Sequence, residues 1–291
     1  MSMRASAAGQ CDICLLPSRR LRRIGDYSIL GRTDCRHLFV KDAAVTSDHS
    51  ELYSDAYFSD GGAGYVDYIA QAPQLIARGK RYARIATRYA GGTGRCFDVG
   101  AAAGFTLEGF RRTGWQVSGV EINGTMAHYA NVSLGIPVRT GSVQSAADLG
   151  DIDCVTLLQV LEHLGHPVQI AEQLHHMLAD GGIVIVETWN MRSLPAVIIG
   201  DAWHQWSPPT VRHWYTPASL TRLFSRAGFT LVQTGRPYKA VSLANGVSLL
   251  RSKLAPKRAM PLLDAFEHSA ARHISIPYPP LDVFWAVFRK R

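Results

Sequence analysis

Long apolar runs are missing from this 291-residue chain. No stretch approaches the roughly 18 consecutive apolar residues of a membrane-spanning helix, so no transmembrane segment is expected. Arg4 is not followed by an apolar stretch before Cys11, so no secretory signal is expected either, and the chain reads as cytoplasmic. Cysteine is scarce and odd in number, five in all, which argues against a disulfide framework. Acids are outnumbered, 23 against 31 Lys and Arg, for a net charge of +8. The shortfall lies at the two ends: residues 1–40 carry seven Arg and three acids, and residues 236–291 carry ten basic residues and three acids. Residues 41–235 hold 14 basic and 17 acidic residues, so the middle of the chain is mildly acidic. Basic ends attract phosphate-bearing acceptors or nucleic acid, or are plain solvated surface. What remains is an ordinary globular mixture, 47% hydrophobic and 19% charged, long enough for one large α/β domain with a small appendage.

The most informative stretch runs from Arg95 to Gly104. Arg95-Cys96-Phe97-Asp98-Val99 is a short apolar run around an acid, and Gly100-Ala101-Ala102-Ala103-Gly104 opens the helical Phe105-Thr106-Leu107-Glu108. This is the pattern of the first βα turn in a nucleotide-binding sheet, where small residues let a ligand lie against the backbone. Asp98 decides between ligands. A carboxylate at this turn repels a pyrophosphate and holds a cation, so the sulfonium and ammonium groups of S-adenosylmethionine suit it better than NAD does. Glu121 closes a second strand about 23 residues later, the spacing of a ribose-binding acid. Two carboxylates provide acceptors for a ribose diol.

On these residues the chain, from about Glu51 onward, resembles the class I S-adenosylmethionine-dependent methyltransferases. That resemblance implies a doubly wound, mostly parallel seven-stranded Rossmann-like sheet with an antiparallel last strand. It implies cofactor contacts from Asp98, Gly100, Ala101, Gly104, Glu121, Ile122, Ser142 and Gln159. Ser142 departs from the family pattern, which has an acid there to accept from the adenine amino group; a hydroxyl still accepts.

Ahead of this domain, residues 1–45 hold Cys11-Asp12-Ile13-Cys14 and then Cys35-Arg36-His37. A Cys-x-x-Cys pair lets two thiolates reach one tetrahedral ion. Relatives carry such a pair at each end of the segment. Here Arg32 stands where the second pair needs a cysteine, which leaves Cys11, Cys14, Cys35 and His37 as candidate zinc ligands in a ribbon-like segment, or a degenerate ribbon without metal. The second domain is expected over 46–291, with a helical insertion at about 236–273. At the start of the second domain, Glu51 to Phe58 precedes the glycine loop Gly61-Gly62-Ala63-Gly64, as a lid or as a packed staple. A helix over Asp67–Ala90 is expected to be interrupted at Pro73.

Alternating strands and helices continue to the end of the domain. Asp151–Leu158 reads as a strand buried on both faces, followed by Gln159-Val160-Leu161-Glu162-His163. The strand Ile183–Glu187 follows a helix over Pro167–Leu178. The segment Trp203–Pro217 gathers Trp203, His204, Trp206, Pro208, Pro209, Arg212, His213, Trp214 and Tyr215, either to shape an acceptor pocket or as an aromatic plug against the sheet. His163, His204, His213 and Tyr215 are the candidate bases. The resulting expectation is methyl transfer to an oxygen or carbon of a small-molecule acceptor, a sugar or secondary metabolite. The alternatives are a nucleic-acid methyltransferase and a catalytically silent cofactor-binding domain. No aromatic-flanked Pro-Pro dipeptide follows the fourth strand, which argues against methylation of base amino groups.

Overall fold

The computed structural model describes residues 9–32, 34–40, 53–59, 67–237, 239–242, 275–278 and 281–291. The chain begins with four short strands, β1 (Gly9–Gln10), β2 (Pro17–Ile24), β3 (Tyr27–Gly31) and β4 (Leu38–Val40), each antiparallel to the next. A single-turn helix α1 (Asp55–Ser59) precedes the long α2 (Ala72–Ala90). The interruption expected at Pro73 is absent. A 3-10 turn over Ile69–Gln71 leads in, and Pro73 occupies the first turn of α2, where a missing N–H has no helical partner to lose. The glycine loop 61–64 lies outside the described residues.

The alternation then runs β5 (Arg95–Val99), α3 (Phe105–Arg111), β6 (Gln116–Glu121), α4 (Gly124–Ser133), β7 (Val138–Thr140), β8 (Ile152–Leu158), α5 (Pro167–Met177) and β9 (Leu178–Trp189). After these come α6 (Leu194–Ile199), the two-residue β10 (His213–Trp214), α7 (Pro217–Arg226) and β11 (Phe229–Gly235). Capping explains two of the starts. The Asn123 side chain accepts from the Met126 N–H at the head of α4, and Thr216 and Ser219 form a reciprocal capping box at the head of α7. Residues 236–280 form a separate compact unit. Its described residues are β12 (Lys239–Ser242) and β13 (Ser275–Tyr278), which pair antiparallel. A strand thus stands at 239–242, within the expected helical insertion, and the rest of that insertion from 243 onward lies outside the described residues. The last strand is β14 (Val283–Lys290).

Seven strands form one sheet in the order β11-β14-β9-β8-β5-β6-β7. The pairs among β5 to β9 are parallel, and β14 is antiparallel to both its neighbours. β14 lies one position in from the edge, with β11 as the edge strand. Side chains alternate between two helical layers, as the pleat requires. Cys96, Cys154, Ile183 and Val287 pack with Tyr82 and Ala86 of α2, Phe110 of α3 and Ala130 of α4. Phe97, Val155, Val184 and Phe288 pack with Leu174 of α5 and Phe224 of α7. Helices α2 and α3 approach so closely that a Cβ on Gly79 would lie 2.2 Å from the Thr106 carbonyl oxygen, so glycine is required there. β9 is tied to α2 through Glu187, fully buried, which accepts from Arg78 at 2.8 Å and from the Tyr82 hydroxyl.

The second sheet runs β1-β2-β3-β4-β10, so the first forty residues share a sheet with the loop after β9. Ile29 and Val40 there pack with Ala196, Trp203, Val211 and Trp214.

Candidate functional site

Strand order reverses direction at β5, with β6 on one side and β8 on the other. In open α/β sheets a crevice forms outside the carboxyl ends of the strands at that point. A cavity of about 730 Å³ lies here, lined by the ends of β5, β6 and β8. Asp98, Gly100, Ala101, Glu121, Ile122, Ser142, Gln159 and His163 all line it.

The electrostatics follow from burial. Asp98 is 4% exposed and Glu121 5%. Burial pushes the Asp98 carboxyl up to about 7, although the Thr156 hydroxyl donates to it at 2.5 Å and Arg78 opposes the rise. Burial also raises Glu121, against the backbone N–H groups of Ala102 and Asn123, which donate to its two oxygens at 2.8 and 2.9 Å. Four of the five loop amides are committed inside the protein. Gly100 and Ala101 both donate to the Val120 carbonyl, Ala102 donates to Glu121, and Gly104 donates to the Ala101 carbonyl. A phosphate cradle needs such N–H groups pointing at the ligand. This loop instead presents two carboxylates, and it favours a cation with hydroxyl groups.

Two further observations fit an adenosyl sulfonium ligand. Gln159 has φ +64°, and its buried Nε2 has no hydrogen-bond partner among the described residues. A strained residue with an orphaned donor at a strand end is the signature of a ligand contact. Gly100 has φ +75°, and a Cβ there would lie 2.6 Å from Val160 Cγ2, so a side chain at this turn is excluded on both counts. Gly104 does not reach the cavity. It starts α3 at φ +79°, with Ala130 Cβ 3.1 Å from where its own Cβ would be.

The four candidate bases separate. His163 lines the cavity, with Nδ1 2.6 Å from the Thr210 carbonyl oxygen. A carbonyl only accepts, so Nδ1 carries the proton and Nε2 keeps its lone pair. Burial lowers the pKa of His163 and keeps the ring neutral. Its turn is fixed by buried Glu162, whose side chain accepts from Thr188 at 3.0 Å and whose carbonyl accepts from the N–H groups of Arg212 and His213. Tyr53 meets His163 edge-on, ring centroids 5.9 Å apart. The other three lie elsewhere. His204 packs edge-on against Trp189, and His213 and Tyr215 are buried in a stack with His37. The physical reason is that the Trp203–Tyr215 loop is apolar enough to be drawn into the second sheet, as the aromatic plug.

Sequence reasoning missed Arg78, Thr106 and Tyr68, which also line the cavity. Arg78 sits mid-helix in α2, where nothing in the local pattern distinguishes it from surface arginines. At the amino end of the chain, Cys11, Cys14 and Cys35 bring their sulfurs within 4.8 Å of one another.

A doubly wound sheet with a cation-favouring crevice at its switch point defines an adenosyl-donor-binding α/β protein. Residues 68–234, more than half of the chain, match the family model described as "Methyltransferase domain". The chain belongs to that family and is of the class I S-adenosylmethionine-dependent type. An S-adenosylmethionine-dependent methyltransferase from Archaeoglobus fulgidus has the same fold, with a TM-score of 0.52 at 19% identity over 84% of this chain and 100% of that one. The YcgJ protein from Bacillus subtilis matches with a TM-score of 0.51 at 15% identity, over 74% of this chain and 98% of its own. Among curated proteins, a ubiquinone biosynthesis O-methyltransferase of Cereibacter sphaeroides is 28% identical over 161 residues, 51% of this chain and 65% of that protein. The chain thus spans just under two thirds of that relative's length. Among the described residues no helix is long and apolar enough to cross a membrane.

Proposed function

We propose that the protein transfers a methyl group from S-adenosylmethionine to a hydroxyl oxygen of a small cyclic acceptor. The observation that carries this reading is His163, a neutral imidazole on the cavity wall whose Nδ1 is held by Thr210 and whose Nε2 retains its lone pair. Bound S-adenosylmethionine supplies a methyl group already activated by its sulfonium. Asp98 attracts the donor's positive charge, Glu121 accepts from ribose hydroxyls, and Gln159 donates its unpaired Nε2–H. His163 Nε2 takes the acceptor's hydroxyl proton as the oxygen attacks, which a high-pKa nucleophile requires. Tyr53 and Tyr57 add flat apolar surface beside His163, suited to a ring-shaped acceptor. Transfer to oxygen is supported by the curated relative, named an O-methyltransferase. Most of the remaining work is positioning and exclusion of water.

The test is a panel of catechols and hydroxylated sugars, with S-adenosylhomocysteine release as the readout, for the wild type and His163→Gln. The variant is expected to lose about 10²–10⁴-fold in kcat and to keep its affinity for S-adenosylmethionine. Wild-type activity should fall as pH drops through the depressed His163 range, and the variant should lack that limb. Equal turnover by both proteins would remove His163 as the base.

A further inference from the structure

The knuckle at the amino end has the dimensions of a metal site, and its fourth corner is one that the cysteine spacing alone left open. Cys11 and Cys14 flank the turn between β1 and β2, and Cys35 and His37 precede β4. The Cys11 and Cys35 sulfurs are 3.7 Å apart, and Cys11 Sγ is 3.5 Å from His37 Nδ1. A tetrahedral zinc ion with bonds of about 2.3 Å to sulfur and about 2.05 Å to nitrogen has S···S edges of about 3.8 Å and S···N edges of about 3.6 Å. Both of these edges agree. The three sulfurs all lie within 4.8 Å of one another, and His37, at contact distance from Cys11, has to close on the other two as an ion binds. A disulfide needs its sulfurs about 2.05 Å apart, and all three thiols are free.

Arg32, which stands where a fourth cysteine was expected, takes no part in the cluster. It donates to the Pro17 carbonyl at 2.7 Å and pairs with Asp34. His37 stands beside Cys11 at the vacant corner. It is fully buried, with Nδ1 toward Cys11 and Nε2 3.2 Å from His213 Nδ1. The His213 backbone N–H in turn donates to the Glu162 carbonyl at 3.0 Å. One proton assignment satisfies the whole chain of contacts. His37 offers the Nδ1 lone pair to a metal and donates from Nε2–H to His213 Nδ1. Metal-bound histidines characteristically donate their second N–H to such a partner. The knuckle itself is braced by Arg226, which donates to the carbonyls of Asp12 and, at 2.6 Å, Ile13, between the first two cysteines.

We propose that Cys11, Cys14, Cys35 and His37 hold a structural zinc ion, and that His213 is the outer partner that locks His37 in place. Four protein ligands leave no open position, so the ion organises the fold and does not touch substrate. Its outer partner His213 is held by its backbone N–H to the carbonyl of Glu162, next to His163, so the ion braces the turn that carries His163. The assignment is independent of the methyl-transfer reading.

A proton on Cys11 could serve His37 Nδ1 in place of a metal, and the experiment separates the two. The full chain, freed of any affinity tag and dialysed against metal-free buffer, should retain about one zinc per chain by elemental analysis. Cobalt substituted for zinc should show the intense visible absorption of a tetrahedral thiolate site. Cys35→Ser and His37→Ala should lose the metal. Should those variants fail to fold, His213→Gln remains, and it should keep the metal with about 10–100-fold weaker affinity in competition with a chelator. Wild-type protein that binds S-adenosylmethionine yet carries no zinc and does not take up cobalt would overturn the site, as would a Cys11–Cys35 disulfide found by mass spectrometry. Unchanged metal affinity in His213→Gln would overturn the role of His213.

Discussion

Replacing Asp98 by Asn removes a carboxylate whose ionisation the fold resists. Its pKa stands at about 7 against an ordinary value of 3.8. A difference of about 3 units corresponds to on the order of 4 kcal/mol between the protonated and ionised forms in the free protein. The folded pKa is raised, so the stability it contributes is complete below about pH 4 and is lost as pH rises through 7. Unfolding by urea should therefore show the wild type losing stability relative to Asp98→Asn between pH 4 and 8. Cofactor binding runs the other way. A cationic donor prefers the ionised carboxylate, so wild-type affinity for S-adenosylmethionine should rise nearly tenfold per unit between about pH 5 and 6 and level off above 7. Calorimetry in two buffers of different ionisation enthalpy should count close to one proton released per molecule bound in that range. Asp98→Asn should bind weakly, with no slope. A pH-independent wild-type affinity, or a variant that keeps the slope, would refute the assignment of Asp98 to the donor's charge.

Glu121→Ala leaves the N–H groups of Ala102 and Asn123 without their acceptor and removes the ribose contact. Affinity for S-adenosylmethionine should fall at least about tenfold, the value of one lost hydrogen bond to a charged group, as read by calorimetry. Gly100→Ala places a Cβ 2.6 Å from Val160 Cγ2 at φ +75°. It should cost about 1–3 kcal/mol of stability and impair cofactor binding. Adding Val160→Ala should relieve the clash but not the backbone strain, so denaturation midpoints should recover only in part.

The cofactor half of the site was legible because it is local. A strand, an acid and a run of small residues fall within ten positions of the chain, and the sheet geometry converts that order into a crevice. The acceptor side was not local. His204, His213 and Tyr215 share the composition of a pocket, yet whether an aromatic loop lines a cavity or plugs a sheet depends on what it meets. Here it meets β3 and β4, which begin nearly two hundred residues earlier. Pro73 was misread because proline breaks a helix interior and starts a first turn equally well, and only the helix boundary distinguishes the two. His37 was named from the sequence as a ligand candidate, but its partner His213 was beyond reach, being 176 residues away.

Equilibrium binding of S-adenosylmethionine, S-adenosylhomocysteine, NAD and FAD to the purified chain tests the central claim most directly, which is that the crevice beside Asp98 and Glu121 selects a cationic adenosyl donor over phosphates. The first two should bind at a single site and compete with each other, and neither dinucleotide should displace them. Saturable binding of NAD or FAD, with no uptake of S-adenosylmethionine, would contradict it.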